Sequence, residues 1–429
     1  MENTDKTQKL NKSALMLIVI CAVVYFVAYV GRLSYSANIA MVCKYYTING
    51  VTIDNGTAGI VGTCLFASYG AGQVINGLLC KRYNPRFSIT IALLGSAVMN
   101  FLVAMVSSDG FYYICVFWLL NGFFQSILWS SIIRLLNLNL PKNLFRLAIL
   151  IMSFPVSLGT FSIYGISALF SVFNISFKGV FVVAAVLMGV VAIVWFIVVD
   201  ILKEKSNAEK EKDEISEEVQ IKKQNRNDLS VKSFIAMFCL LAVFAIVNNF
   251  VKDGVTTWMP KILEDKYTLP EALSTFLTLF LPLFSVFGAT IAMFINKKAK
   301  GYVLTCGILY GMSAVLILLV VAFLNFPVWV VTLLCFMLVS MCMSGINNVL
   351  TGFFPMTCPK NMNAGLIAGL IDGFCYVGSA ITTYGLGSVS DYMGWDAVVY
   401  LLLGMCVIML TICIVYTVIQ KIRQNYKNS

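Results

Sequence analysis

Twelve apolar stretches, each long enough to cross a lipid bilayer, run through this chain of 429 residues. A membrane-spanning helix needs about 20 predominantly apolar residues. In lipid, only helices and closed barrels satisfy their backbone polar groups internally. The sequence therefore predicts an all-α membrane protein with transmembrane helices at residues 14–43, 57–80, 87–107, 111–138, 144–172, 178–201, 231–262, 272–295, 302–325, 327–354, 363–390 and 395–420.

Composition excludes several other classes of protein. Apolar residues make up 59% of the chain and charged residues only 12%, whereas about a quarter of the residues in a soluble domain are charged. The chain has no histidine, which removes imidazole metal ligands and imidazole-based catalysis. Its 13 cysteines are scattered without a C-x-x-C pair, and no nucleotide-binding glycine loop is present. We therefore expect no enzyme activity, no cofactor and no metal.

The placement of positive charge predicts how the chain is oriented. With both termini on the cytoplasmic side, 23 of the 30 Lys and Arg residues lie inside and only four outside, at Lys44, Lys178, Lys261 and Lys266. The net charge of +10 is therefore explained by orientation in the membrane, and we expect no nucleic-acid partner. The predicted location is a bacterial plasma membrane, with the lipid bilayer as partner and the chain as a monomer.

The charge distribution also divides the chain into two halves. Fifteen of its 50 charged residues fall in the segment 203–229. This charge density predicts a solvated cytoplasmic linker between two six-helix units at 14–202 and 230–420. Residues 1–13 and 421–429 are predicted to be cytoplasmic tails. Tyr29-Val30-Gly31-Arg32 in the first span is similar to Asn249-Phe250-Val251-Lys252 in the seventh. Such weak internal symmetry is typical of transporters whose substrate site lies between two parallel halves.

Ionisable side chains inside the predicted spans point to that site. Burying one costs at least about 2.5 kcal/mol, so each needs a partner or an aqueous cavity. Pseudo-symmetry would place Arg32 and Lys252 on opposite walls of a central cavity, where an anion between them would relieve their repulsion. The alternative is internal neutralisation, of Arg32 by Asp372 or of Lys252 by Asp253. A further such residue, Arg134, lies near the cytoplasmic end of its span and could be a gating or structural charge.

Polar and aromatic side chains share helical faces with these charges. Tyr25, Tyr29 and Arg32 fall on one stripe of the first span, and Tyr69 and Gln73 are four residues apart on the second. A polar stripe on an otherwise apolar helix is expected to face a cavity and not lipid.

Four stretches of sequence resemble the organophosphate:phosphate antiporter family of the major facilitator superfamily. In order they are Tyr69-Gly70-x-x-Gln73 through Arg82-Tyr83-Asn84-Pro85-Arg86, Asn121-Gly122-Phe123-Phe124-Gln125 through Trp129 to Arg134, Gly254-x-x-x-Trp258-x-Pro260 after Lys252, and Ala364-Gly365 through Tyr376-Val377-Gly378 to Asp391-x-x-Gly394-Trp395-Asp396. The resemblance implies the major facilitator fold and exchange of a phosphate ester by alternating access. It places Arg32 and Lys252 at the family's two phosphate-binding cations. It also implies that the cavity is lined by Tyr25, Tyr29, Tyr69, Trp129 and Tyr376.

The chain departs from that family at several of these positions. Lys252 stands where an arginine is usual, and Gln73 where glycerol-phosphate members have a lysine. Near Ser157, where some members have a histidine, this chain has none. Asp253 and Asp372 add negative charge beside the expected anion site, with coupling to protons as one role for them. These departures favour a less charged, larger or zwitterionic organophosphate over inorganic phosphate as the counter-substrate.

Three functions remain open at this point. The first is a secondary transporter of a small organic anion, such as a sugar phosphate or glycerol phosphate, with Arg32 and Lys252 as an anion clamp. The second is a proton-coupled carrier of another organic anion or of a drug. The third is a transporter-like sensor that binds its ligand and signals without transporting it.

Overall fold

A computed structural model describes residues 12–79, 82–140, 144, 147–148, 151–217, 231–299, 301–354 and 364–428. All regular structure in these segments is helical, which confirms the predicted fold class. The helices of the first half are Lys12–Ala37, Ile39–Ile48, Asn55–Leu79, Pro85–Met105, Phe111–Asn139, Ser153–Val172 and Phe177–Glu217. Those of the second half are Val231–Tyr267, Glu271–Thr278, Phe280–Ser285, Gly288–Ala299, Tyr302–Phe323, Trp329–Asn348, a π-helical turn at Val349–Phe353, and Ala364–Asn428.

The helices give twelve membrane spans, which are numbered here in chain order. Eleven described helices are long and apolar enough to cross a membrane, and the last of them contains two spans. These two spans meet at Gly394, whose φ of 78° and ψ of 171° are not helical. A positive φ is readily adopted only by glycine, so this residue allows the eleventh span to turn directly into the twelfth.

Two spans are interrupted rather than continuous. The first span is broken at Asn38, whose side-chain amide donates to the Ser34 carbonyl at 2.7 Å and accepts from the Ser167 hydroxyl at 2.9 Å. The eighth span consists of three short helices, with Pro282 in the middle one. Proline lacks the N–H that would continue the helical ladder, which favours bending here.

The boundaries of the loops differ modestly from the predicted ones. The sixth span continues to Glu217, so the start of the charged segment 203–229 is helical, while residues 218–230 lie outside the described part of the chain. The seventh span continues to Tyr267, and the twelfth to Asn428 through the predicted C-terminal tail. The predicted N-terminal tail lies outside the described residues up to position 11.

The two halves are in contact at the end of the bundle that lies opposite the chain termini, which we call the remote end. The second and eleventh spans pack so closely there that a Cβ added to Gly59 would lie 2.1 Å from the Thr383 carbonyl oxygen. The Asp391 carboxylate accepts from the backbone N–H groups of Asn55 at 3.0 Å and Gly56 at 2.6 Å, at the N-terminus of the second span.

The fifth span joins this closure from the other side. The Tyr164 hydroxyl donates to the Thr256 carbonyl at 3.1 Å, and the Ser171 hydroxyl donates to Glu271 at 3.0 Å. Glu271 also lies 3.5 Å from Lys44 of the first half. Between this end and Arg32, the Thr63 hydroxyl donates to the Ala380 carbonyl at 2.7 Å, so the described hydrogen bonds between the halves extend from the remote end to the level of Arg32.

Candidate functional site

Arg32 lies at the boundary between the halves and is only 3% exposed. Its Nε donates to Gln125 Oε1 of the fourth span at 3.0 Å, and its Nη1 donates to the Tyr376 hydroxyl of the eleventh span at 3.3 Å. The guanidinium carbon lies 4.1 Å from the ring centre of Tyr69 and 4.6 Å from that of Tyr29. The cation is therefore held by four spans, one of them from the opposite half.

A chain of buried amides fixes the orientation of Gln125. Its Nε2 donates to the Asn121 side chain at 3.2 Å, and the amide of Asn121 donates to the Gly31 carbonyl at 3.3 Å. Asn100, which is fully buried, donates to the same carbonyl at 3.2 Å. The first, third and fourth spans are thus tied together directly beside Arg32.

Arg32 keeps one nitrogen without a hydrogen bond. Nη2 is buried and has no partner among the described residues, and no described carboxylate lies within 4 Å of the guanidinium. Aromatic faces stabilise a desolvated cation by about 2 kcal/mol, but they do not neutralise it. A buried cation without an ion-pair partner is costly, and an anionic ligand on Nη2 would offset that cost.

The predicted aromatic residues gather around this cation. Tyr25 packs against Tyr29 at 5.2 Å and against Trp129 at 5.1 Å between ring centres. Tyr69 and Tyr376, from opposite halves, lie 4.3 Å apart. Gln73 Nε2 donates to the Tyr69 hydroxyl at 3.1 Å, so this predicted residue also joins the group.

Lys252 and Asp253 form a second polar group, on the seventh span. Lys252 Nζ lies 3.9 Å from Asp253 Oδ1, which is longer than a hydrogen bond. Asp253 Oδ2 instead accepts from Ser379 of the eleventh span at 2.5 Å and from Asn249 at 3.5 Å. Lys252 is 29% exposed and Asp253 18%. Asp253 is therefore satisfied mainly by the eleventh span, while the ammonium group of Lys252 remains available to a ligand.

Asp372 is the fourth charged residue near the site. It is partly buried on the eleventh span, one helical turn before Tyr376, and it lies within electrostatic range of Arg32, Lys252 and Asp253. It makes no hydrogen bond or ion pair in the described structure. Of the two internal ion pairs considered for the cations, Arg32 with Asp372 does not form among the described residues, whereas Lys252 and Asp253 lie 3.9 Å apart, at the outer limit of an ion pair. The formal charges of these four residues sum to zero.

Arg134 and Ser157 are the two remaining predicted residues. Arg134 Nη1 donates to the Tyr83 carbonyl at 2.5 Å, which ties the fourth span to the loop before the third. Ser157 is buried on the fifth span, two residues before Gly159, which packs against the first span beside Tyr29. Their proposed roles in gating and substrate binding stay predictions.

Sequence reasoning missed the polar residues that support the charges. Asn121 lies four residues before Gln125, and Asn249 lies four residues before Asp253, which was itself predicted; both pairs are on apolar spans. That spacing was a usable signal for one shared helical face. Ser379 gave no such signal, because a single serine in a span is usually explained by helix packing.

The sequence model of the Major Facilitator Superfamily matches residues 21–383. The chain belongs to the Major Facilitator Superfamily. It is an integral membrane protein of a superfamily of transporters rather than of enzymes, and the resemblance predicted from its motifs is confirmed at the level of this superfamily.

Curated relatives match a smaller part of the chain. A "Probable hexose phosphate transport protein" of Chlamydia pneumoniae is 30% identical over 116 residues, covering 24% of this chain and 25% of that protein. "Membrane sensor protein UhpC" of Escherichia coli K12 is 28% identical over 107 residues, covering 25% of this chain and 22% of that protein. The chain thus spans about a quarter of the length of these relatives.

Solved structures share the fold at much lower identity. A D-xylose-proton symporter superposes with a TM-score of 0.70 at 10% identity, covering 93% of this chain and 97% of the other. A bacterial homolog of the human lysosomal transporter Spinster, inward-facing and occupied, gives a TM-score of 0.69 at 13% identity, covering 94% of each chain. These likenesses support the superfamily's architecture over nearly the whole chain.

Proposed function

We propose that this superfamily member exchanges a small phosphate ester, of the sugar phosphate or glycerol phosphate type, across a bacterial plasma membrane. Both termini would lie in the cytoplasm, so the remote end would face outwards. The observation that carries the proposal is Arg32, a cation that is 3% exposed, has one buried nitrogen without a hydrogen bond, and lies between two tyrosine rings.

The chemistry of Arg32 suits a phosphate group. A guanidinium offers parallel N–H donors that match phosphate oxygens, and each such charge-assisted bond is stronger than a neutral one. Tyr29 and Tyr69 exclude water from the faces of the cation, which strengthens its attraction for an anion. Lys252 would contribute a second positive charge, as a point charge on a flexible stem.

Alternating access would couple binding to transport. Arg32 belongs to the first half, while Lys252 and Tyr376 belong to the second, so a ligand that contacts all three is sensitive to how the halves are arranged. The hydrogen bond from Arg32 to Tyr376 joins the halves next to the proposed ligand position. Opening the remote end would require Asp391 to leave the N-terminus of the second span and Gly59 to part from Thr383.

The match to a protein named as a membrane sensor favours one second candidate, a ligand sensor of the same fold. A sensor would use the same anion site but would not carry its ligand across the membrane. Binding without flux would distinguish this candidate from a transporter.

A thermal-shift series on detergent-purified protein tests the proposed ligand class. We expect glucose 6-phosphate and glycerol 3-phosphate to raise the midpoint of unfolding, since a ligand at 100 times its Kd stabilises the folded state by about 2.7 kcal/mol. Glucose and glycerol should not, because they lack the anion.

A matched pair of variants assigns the effect to the site. Arg32→Gln removes the buried cation, whereas Lys44→Gln removes a cation whose side chain is 65% exposed at the remote end. The shift should disappear in the first variant and persist in the second. An undiminished shift in Arg32→Gln would refute the assigned site.

A further inference from the structure

The two carboxylates near the site differ in what surrounds them. Asp253 accepts from Ser379 at 2.5 Å and from Asn249 at 3.5 Å, and Lys252 lies 3.9 Å away. Asp372 has none of these partners in the described structure, although it lies within electrostatic range of both cations. A carboxylate held at a ligand site without a donor needs either a proton or a cationic partner.

Charge balance limits which ligand fits beside Asp372. The charges of Arg32, Lys252, Asp253 and Asp372 already cancel, and a phosphate monoester carries about −1.5 to −2 charges near pH 7. An ester with no other charge would leave the loaded site strongly negative, with Asp372 near the phosphate oxygens. A ligand that also carries a positive group would remove most of that imbalance.

Helix geometry separates the positive and negative parts of the site. Asp372 and Tyr376 are four residues apart, so they share one face of the eleventh span and are offset by about 6 Å along its axis. Tyr376 accepts from Arg32 Nη1 at 3.3 Å and thus marks the position of the guanidinium. Besides the Asp372 carboxylate without a donor, a second and independent observation points to a ligand here. Arg32 Nη2 is buried and makes no hydrogen bond to the described residues.

We infer that Asp372 binds an ammonium group of the substrate, so that the substrates are phosphate monoesters carrying a primary amine, such as amino-sugar or aminoalkyl phosphates. The inference rests on the proposed function, because it takes Arg32 as the phosphate ligand. The offset of about one helical turn suits a phosphate and an ammonium separated by a short carbon skeleton. Asp372 thereby acts as a specificity-determining residue.

The direct test compares glucosamine 6-phosphate with glucose 6-phosphate, which differ by one ammonium in place of one hydroxyl. Calorimetric titration of the purified full-length chain should give a Kd at least about tenfold lower for the amino ester, as expected for a charged hydrogen bond in a desolvated site. Asp372→Asn should remove this preference by weakening only the amino ester. Glucose 6-phosphate should bind Asp372→Asn as well as or better than the unaltered protein, because a negative charge has been removed.

The outcomes separate this inference from the proposed function. Equal affinity of the unaltered protein for both esters, or a preference that Asp372→Asn leaves intact, contradicts the inference alone. Binding of neither ester contradicts the proposed function and the inference with it. A third outcome is a preference that survives Asp372→Asn while the pH dependence of ester uptake disappears; this would make Asp372 a proton carrier and would also overturn the inference.

Discussion

Gly59→Ala should open the remote end of the molecule. The added Cβ would lie 2.1 Å from the Thr383 carbonyl oxygen and 2.7 Å from its carbon, whereas ordinary contacts begin at 3.4 Å. The second and eleventh spans would therefore have to separate locally by about 1.3 Å. Because the clash is with backbone, no side-chain rotation can relieve it. Overpacking of this kind costs about 1–3 kcal/mol, which would shift the equilibrium between closed and open states by about 5- to 150-fold.

Cys43 reports this opening. It is 6% exposed and lines a cavity of about 460 Å³ at the remote end, together with Lys44, Lys261 and Asp391. Detergent-purified protein is treated with a maleimide, and the modification rate at Cys43 is read by peptide mass spectrometry.

In Gly59→Ala, the rate of Cys43 modification should exceed that of the unaltered protein by the same factor as the population of the open state increases. Gly385→Ala is the matched control, since a Cβ there would meet nothing within 4 Å. Equal rates in the two variants would refute the inference that contact between the second and eleventh spans holds this end closed.

Three further predictions concern the hydrogen bonds around the site and the closure. Asp391→Asn removes a negative charge from the N-terminus of the second span, which should destabilise the closed state by about 0.3–1 kcal/mol. Cys43 modification should therefore accelerate about two- to fivefold, and an unchanged rate would argue against this closure. Gln125→Glu places a carboxylate where Arg32 Nε now donates at 3.0 Å, so the Kd for a phosphate ester should rise at least about tenfold; unaltered binding in calorimetry would place the anion elsewhere. Asn100→Ala should lower the free energy of unfolding by about 1–3 kcal/mol, because it removes the acceptor of the buried Ser34 hydroxyl and one of the donors to the Gly31 carbonyl. The control Thr411→Ala, at an exposed position, should leave the melting temperature unchanged.

Hydropathy and charge predicted most of the fold, because each span must satisfy its own backbone in lipid and shows this locally in the sequence. The depth of Arg32 and the stripe it shares with Tyr25 and Tyr29 followed from helical spacing alone. The division of the eighth span into three helices could not be predicted in this way, since Pro282 indicates a bend but not where the helix resumes.

Contacts between distant parts of the chain were beyond this reasoning. Asp391 caps a helix 335 residues earlier in the sequence, and Gln125 supports Arg32 across 93 residues. Helical periodicity shows which residues share a face of one span but not which faces meet. For the same reason, the sequence did not show that Asp253 has hydrogen-bond donors from Ser379 and Asn249 whereas Asp372 has no described donor.

Exchange in proteoliposomes tests the central claim most directly. Vesicles containing the purified chain are loaded with an unlabelled phosphate ester, and uptake of the labelled ester from outside is followed over time. The account predicts saturable uptake that requires the internal ester, is retained in Lys44→Gln, and falls at least about a hundredfold in Arg32→Gln. Uptake by Arg32→Gln at the unaltered rate, or ester binding with no uptake by the unaltered protein, would contradict it.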